Sequence, residues 1–205
     1  MKIKIIIIFI LFWAFGLGAN ENSIFWELES AKGKQIFIFG SIHVDDNRVV
    51  NFSDNVNKAM QRSNLFVSET NNVSNLKVLE GLGSEYTDYL SEDNFQKIGE
   101  LSDFHSIETD FAVKLKPWLL GFIFSSPRPM NPFSQDNLLK VTASNYGLAS
   151  KGLETVDEHY SVLDSLSTQD QFQILKNVLI LSEADKEKNY ELMIQTYLTV
   201  NLNKI

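Results

Sequence analysis

The chain of 205 residues contains no cysteine. It therefore has no disulfide bond, no thiol nucleophile, no cysteine-ligated metal and no cysteine for lipid attachment. Basic residues are also outnumbered: 18 lysines and arginines against 26 aspartates and glutamates give a net charge of −8. An acidic chain repels phosphate backbones, so we expect no nucleic-acid partner. Without disulfides, core packing must hold the fold.

The amino-terminal segment has the layout of a secretory signal peptide. Lys2 and Lys4 precede an apolar run over residues 5–17, and Gly18-Ala19 supplies small residues before a polar stretch. We expect cleavage after Ala19, which leaves residues 20–205 as a single domain. Loss of the two lysines would shift the net charge from −8 to −10. The alternative is an uncleaved inner-membrane anchor, although a span needs about 20 apolar residues. Either way we expect an exported protein, periplasmic or secreted, that meets the membrane only through this segment.

Two apolar runs flank a helical pattern near the start of the expected domain. The run Gln35–Phe39 leads into Gly40-Ser41-Ile42-His43, and the run over residues 64–69 ends at Glu69. Between them, residues 53–63 have the cap and apolar spacing of a helix. Strand, helix and strand with short connections predict a βαβ unit with parallel strands. Parallel strands carry their carboxyl ends to one edge, so His43 and Glu69 should face the same crevice, where open α/β sheets bind ligands.

The remaining pattern completes an α/β prediction. A hairpin over residues 24–39 precedes the first helix, a third strand is expected over residues 151–154, and the second half is rich in helices. The fold class predicted is thus a small, mainly parallel sheet with an N-terminal hairpin. Residues 190–205 are amphipathic, and their apolar side is predicted to be core or a surface for a partner or a second copy. That apolar side comprises Leu192, Met193, Tyr197 and Leu198.

His43 and Glu69 have side chains suited to two kinds of chemistry. Histidine titrates near neutrality and is the commonest metal ligand. Beside a carboxylate it could hold a divalent cation or activate water as a general base. The ordinary alternatives are a histidine hydrogen-bonded within its loop and a solvated glutamate. Position alone favours these ordinary roles.

Four segments resemble the TraB/GumN family, which includes the Tiki proteases, and they occur in family order over about residues 25–180. Residues 37–44 resemble its "LFGTIHV" motif. The other matches are residues 63–69 with its "D-x-hydrophobic-x-x-E" strand, residues 116–118 with its "hydrophobic-x-P-W" segment, and residues 152–171 with its "GLET-x-x-E-Q…L-D" block.

The resemblance implies both a fold and an activity. The implied fold is similar to that of erythromycin-esterase and ChaN-like proteins, and the implied activity is metal-dependent cleavage of peptide bonds. His43, Glu69 and the Glu154 of the fourth segment match catalytic positions, and His43 with Glu69 would bind the metal. Manganese, cobalt or zinc is the expected cation, and a peptide or small molecule the expected substrate. Glu154 has an equally good alternative role, since the helix after it would stabilise a carboxylate.

The chain departs from the family pattern in two places. Glu158-His159 stands where the family has "E-Q", and Glu158 also fits a capping box with Thr155. The family carries a second G-x-x-H near its C-terminus, whereas this sequence contains one. We therefore expect a C-terminally shortened domain, whether a shortened gene product, a degenerate copy or half of a split protein. Two functions follow: a metal-dependent peptide hydrolase, inactive if the second motif is essential, or a non-catalytic peptide- or ligand-binding module.

Overall fold

A computed structural model of the chain describes residues 24–70, 79–81 and 86–201. The predicted signal peptide, residues 1–19, lies outside the described residues. The strands are β1 (Phe25–Glu29), β2 (Gln35–Phe39), β3 (Leu65–Thr70) and β4 (Ala149–Glu154). The helices are α1 (Asp54–Arg62), α2 (Tyr86–Tyr89), α3 (Glu92–Phe104), α4 (Thr109–Ala112), α5 (Pro117–Ser125), α6 (Gln135–Asn145), α7 (Val156–Asp164), α8 (Thr168–Leu179) and α9 (Glu183–Asn201).

The strands form two separate pairs. β1 and β2 are an antiparallel hairpin, and β3 and β4 are a parallel pair in which Thr70 lies opposite Glu154. The α/β class, with its hairpin and helix-rich second half, is confirmed. The expected hydrogen bonding between β2 and β3 was wrong, because β2 pairs with β1 and β3 pairs with β4. Phe39 of β2 and Phe66 of β3 nevertheless pack against the same apolar cluster, so both strands are anchored without pairing.

Local chemistry explains where the elements begin and turn. Ser53 caps α1 by accepting a hydrogen bond from the Val56 amide, and Thr155 with Glu158 forms a reciprocal capping box at α7. Gly33 has a φ of +71° in the hairpin turn, a conformation that other L-residues adopt at a cost. The helix predicted over residues 53–63 and the capping role predicted for Glu158 are both confirmed.

The buried apolar residues form two cores. The smaller one joins Val56 and Met60 of α1 to Leu139 of α6 and supports β1, β2 and β3. The larger one is helical and centres on Phe172 and Leu175 of α8. Two of the family-like segments meet beside it, because Asp164 accepts hydrogen bonds from Lys116 Nζ at 2.6 Å and from Trp118 Nε1 at 3.0 Å. These segments therefore have a structural role at the start of α5.

The last helix differs from the sequence prediction. Leu192 and Met193 were expected on its buried side, yet they are 67% and 41% exposed. Ile194 and Lys186 are buried instead, the latter with its ammonium 2.9 Å from Glu183 Oε1. A lysine that buries its apolar stem and finds a carboxylate can occupy a position that hydropathy would assign to solvent. Among the described residues, no helix combines the length and apolarity that crossing a bilayer requires.

Candidate functional site

The loop after β2 holds His43 through contacts with two distant helices. Gln135, the first residue of α6 and only 2% exposed, accepts a hydrogen bond from the Ile42 amide at 2.9 Å through Oε1. Its backbone amide donates to the Val44 carbonyl at 2.8 Å. Tyr197 of α9 donates its hydroxyl to the Gly40 carbonyl at 2.9 Å. The backbone on both sides of His43 is thus fixed by buried or half-buried groups.

His43 contacts two carboxylates, one through each ring nitrogen. Nδ1 lies 2.6 Å from Asp136 Oδ2, and Nε2 lies 3.5 Å from Glu69 Oε2. An ionised carboxylate only accepts hydrogen bonds, so Nδ1 carries the hydrogen that Asp136 receives. Asp136 also accepts the Ser41 hydroxyl through its other oxygen. The sequence prediction that His43 and Glu69 face one crevice agrees with this geometry, although the strands that carry them are not paired.

The electrostatics of the site favour a charged imidazole. The hydrogen bond to Asp136 raises the pKa of His43 above its ordinary 6.5, against the effect of burial, and the charges of Asp136 and Glu69 add to the rise. Burial acts to raise the pKa of Asp136, but the hydrogen bonds from His43 and Ser41 outweigh it, and the pKa of this carboxyl falls below its ordinary value. Asp136 therefore stays ionised behind the imidazole.

His43 opens onto a cleft that separates the two strand pairs. This interstrand cleft, lined by residues 34–39 and by residues 64–70, is part of an open space of about 1900 Å³ that also reaches side chains of α5 and α7. Val56, Met60 and Leu139 of the smaller core line it as well. The His43 side chain is 67% exposed and that of Glu69 is 56% exposed, whereas Asp136 is 19% exposed. A ligand in the cleft could therefore reach His43 and Glu69 directly.

His43 and Glu69 have the spacing of two ligands on one cation. Ligand atoms about 2.1 Å from a tetrahedral cation are about 3.4 Å apart, which matches the observed 3.5 Å. The carboxylate of Asp136 behind Nδ1 is the partner that metal-binding histidines commonly have. Among the described residues, no group of three or more His, Asp and Glu side chains is arranged to hold a metal ion. His43 and Glu69 could at most supply part of a coordination sphere.

Glu154, the third residue that the family resemblance suggested, does not join this group. Glu154 is the register partner of Thr70, the residue after Glu69. Because successive side chains of a strand point to opposite faces, the side chains of Glu154 and Glu69 lie on opposite faces of the β3–β4 pair. The Glu154 carboxylate instead contacts His159 Nδ1 at 2.6 Å. His159 thereby has a local partner within the same segment of chain. The structure brings His43 and Glu69 together and leaves Glu154 in a separate ion pair.

Sequence analysis missed Asp136 and Gln135. Both belong to the first turn of α6, 93 residues along the chain from the partners that they bind in the His43 loop. The available signal was weak: a helix start after a proline-rich loop, with an amide and a carboxylate at its first two positions. Only the packing of α6 against the loop gives these residues their roles.

Comparison with known proteins gives one result of use. The family model described as the TraB/PrgY/gumN family matches residues 24–205, which is most of the chain. The chain therefore belongs to this family, in agreement with the resemblance of its four segments. No curated protein and no solved structure matches the chain significantly.

Proposed function

We propose that this member of the TraB/PrgY/gumN family is an exported, metal-dependent hydrolase of peptide bonds, with His43 and Glu69 at its centre and Asp136 as the positioning residue. One observation carries the proposal. With the hydrogen on Nδ1 directed to Asp136, the lone pair of neutral His43 is on Nε2, and it faces a Glu69 oxygen at 3.5 Å. A proton or a cation between these two acceptors would stabilise the arrangement.

The two ways of stabilising the arrangement compete. A proton on Nε2 makes an imidazolium–carboxylate pair, which accords with the raised pKa of His43. A divalent cation held by Nε2 and Glu69 would instead supply a Lewis acid that polarises a carbonyl and lowers the pKa of water. Manganese, cobalt and zinc are the candidates. Catalytic zinc sites typically have three protein ligands, so with two we expect modest affinity that falls as pH falls.

The chain's own residues would do three things in this reaction. Asp136 holds the Nδ1 hydrogen and so fixes the orientation and basicity of the imidazole. Glu69 would lend one oxygen to the cation, and its half-exposed carboxylate leaves the other oxygen to accept a proton from water that enters the cleft. The Gln135 and Tyr197 hydrogen bonds keep the His43 loop in place, so little ordering is needed when a substrate binds.

Titration calorimetry of the full chain with manganese, cobalt and zinc tests the proposal. We expect binding near pH 7.5 that is lost in His43→Ala and weakened in Glu69→Gln. His159→Ala is the matched control, since it removes another histidine that contacts a carboxylate at 2.6 Å. Equal metal affinity in His43→Ala and His159→Ala would refute the assignment. Hydrolysis of an unfolded protein substrate, with and without the cation, then tests the activity itself.

A non-catalytic binding module is the second candidate, and the size of the interstrand cleft favours it. A space of about 1900 Å³ beside exposed apolar strands can retain a peptide whether or not it is cleaved. In that case a ligand would bind with unchanged affinity in His43→Ala and no product would form. The exposed Leu192 and Met193 of α9 keep open the prediction of a partner or a second copy at the C-terminal region.

A further inference from the structure

We infer that the interstrand cleft binds an extended polypeptide segment, which pairs with the open edges of β2 and β3 and carries apolar side chains at alternate positions and a basic residue near Glu69. This inference rests on the proposed function, because it names the substrate class of the same site. It concerns how the substrate is held and not how it is cleaved.

The two edges run side by side in the same direction. At their amino ends, Arg62, just before β3, donates to the Gln35 side chain of β2 and lies over the Phe37 ring at 5.2 Å. At their carboxyl ends, His43 and Glu69 meet at 3.5 Å. The strands therefore flank the cleft along their whole length. Such an arrangement presents two parallel rows of backbone groups to whatever lies between them.

Both rows of backbone groups are open on the cleft side. In the described part of the chain, the strand ladder of β2 is with β1 alone and that of β3 is with β4 alone. The one further hydrogen bond to the backbone of residues 35–39 or 65–70 in that part is at the carboxyl end of β3, where the Ser68 hydroxyl donates to the Thr70 carbonyl at 2.7 Å. An open edge is a template for another strand, and peptide binding by strand addition uses it. Backbone donors and acceptors at strand spacing specify a polypeptide rather than a lipid or a small apolar molecule.

The separation of β2 from β3 is compatible with one inserted strand. Neighbouring strands lie about 4.8 Å apart, so two strands that flank a third are separated by about 10 Å. The Cα atoms of β2 and β3 are for the most part more than 8 Å apart. Side chains from each end still bridge the cleft, which limits its width. A segment of about six residues would match the length of β3, at about 3.3 Å per residue.

The side chains along the edges define the chemistry of the segment. Ile36, Ile38, Leu65 and Val67 line the cleft and are 60%, 47%, 47% and 42% exposed. They recur at every second residue, which calls for apolar side chains at every second residue of the occupant. At the carboxyl end the half-exposed Glu69 carboxylate favours a cationic residue, and the net charge of −8 attracts basic polypeptides at longer range.

Binding of designed peptides to the full chain tests this inference by fluorescence anisotropy. The probe is a labelled hexapeptide with valine at alternate positions and lysine at one end. We expect it to bind, and alternate N-methylation of its backbone, which removes amide donors and keeps the side chains, to weaken binding roughly tenfold or more. A glutamate in place of the lysine should also weaken binding, and Glu69→Gln should remove that preference. Equal affinity for the plain and N-methylated peptides would overturn strand pairing.

A pair of protein variants locates the binding surface. Val67→Lys places a charge in the cleft, whereas Leu192→Lys places the same charge on an exposed apolar position of α9. We expect only Val67→Lys to lose the peptide, with circular dichroism confirming that both variants fold. Loss of binding in both, or in neither, would contradict the location. So would sedimentation showing a dimer that Val67→Lys dissociates, since a second copy would then occupy the cleft.

The outcome is separable from that of the proposed function. Peptide affinity in His43→Ala, measured without any divalent cation, reports on the cleft alone. Retained binding in that variant together with absent metal binding and absent hydrolysis would support the inference and defeat the hydrolase. Metal binding and hydrolysis with no difference in affinity between the plain and N-methylated peptides would support the hydrolase proposal and contradict strand pairing in the cleft.

Discussion

The substitution Asp136→Asn is the most direct test of how the site is organised. Asp136 accepts the Nδ1 hydrogen of His43 at 2.6 Å, a bond to a charged group that is worth about 1.5–3 kcal/mol when well shielded. The His43 side chain is 67% exposed, so water competes and we expect a contribution below that range, about 1 kcal/mol. Asp136 also sits at the second position of α6, where a negative charge contributes about 0.3–1 kcal/mol through the helix dipole.

A matched control separates the two contributions. Asp93 occupies the second position of α3, is exposed and has no histidine partner among the described residues. Asp93→Asn should cost about 0.5 kcal/mol from the helix dipole alone, and Asp136→Asn should cost about 1 kcal/mol more. Urea unfolding of both variants and the parent chain measures the difference in the free energy of unfolding.

The pH dependence of the difference in cost between Asp136→Asn and Asp93→Asn tests the role assigned to Asp136. The pKa of His43 is raised in the folded chain, so its stabilising contribution is fully present below the unfolded value of 6.5 and is lost as pH rises through the folded pKa. The excess cost of Asp136→Asn should therefore be largest near pH 5.5 and shrink towards pH 9. Nuclear magnetic resonance should show a lower pKa for His43 in Asp136→Asn. An excess that is absent, or the same at both pH values, would refute the assigned role of Asp136.

Two further predictions concern the scaffold. In Gly121→Ala the new methyl would meet Ile174 Cγ2 at 3.1 Å and Leu175 Cα at 3.4 Å where α5 crosses α8, whereas in Gly99→Ala the methyl on α3 would meet nothing within 4 Å. Urea unfolding should show that Gly99→Ala stabilises the fold by about 1 kcal/mol through helix propensity and that Gly121→Ala destabilises it. Stabilisation by both would show that the crossing is loose. Burial, with the nearby Lys186 charge, lowers the pKa of His105, so its contribution to stability is present above pH 6.5 and is lost as pH falls through the lower folded value. His105→Phe should therefore lose less stability than the parent between about pH 7.5 and pH 5, and parallel pH profiles would contradict this.

The elements that the sequence predicted well are those decided by neighbours in the chain. Ser53 begins α1 and Thr155 with Glu158 begins α7 because each cap is closed within four residues. The hairpin turn is likewise set by Gly33 and its flanking strands. In each case a side chain or a backbone conformation satisfies a group only a few residues away, so no tertiary information is needed.

The features that escaped prediction depend on packing across long separations. Pairing of β2 with β3 was expected from their order in the chain, but β3 pairs with β4, which follows only after helices α2 to α6. The second partner of His43 lies 93 residues away and acts through the placement of α6. On α9 the apolar pattern alone put Leu192 inside, whereas Lys186 is buried because its ammonium reaches Glu183. Hydrophobic periodicity cannot predict a buried lysine whose charge is paired with a carboxylate.

The His43–Glu69 pair and the open strand edges meet at one end of the interstrand cleft. A proton or a cation would stabilise the facing acceptors on His43 and Glu69, and a strand would pair with the open edges of β2 and β3. Glu69 is the penultimate residue of β3, so a segment paired along that edge would bring one of its last peptide bonds to the carboxylate. Strand pairing would then position the carbonyl to be attacked, and most of the binding energy would come from apolar side chains remote from it. Such a division predicts binding that tolerates exchange among apolar residues at the alternate positions, with cleavage confined to the Glu69 end, because backbone pairing holds the segment in place along the edge.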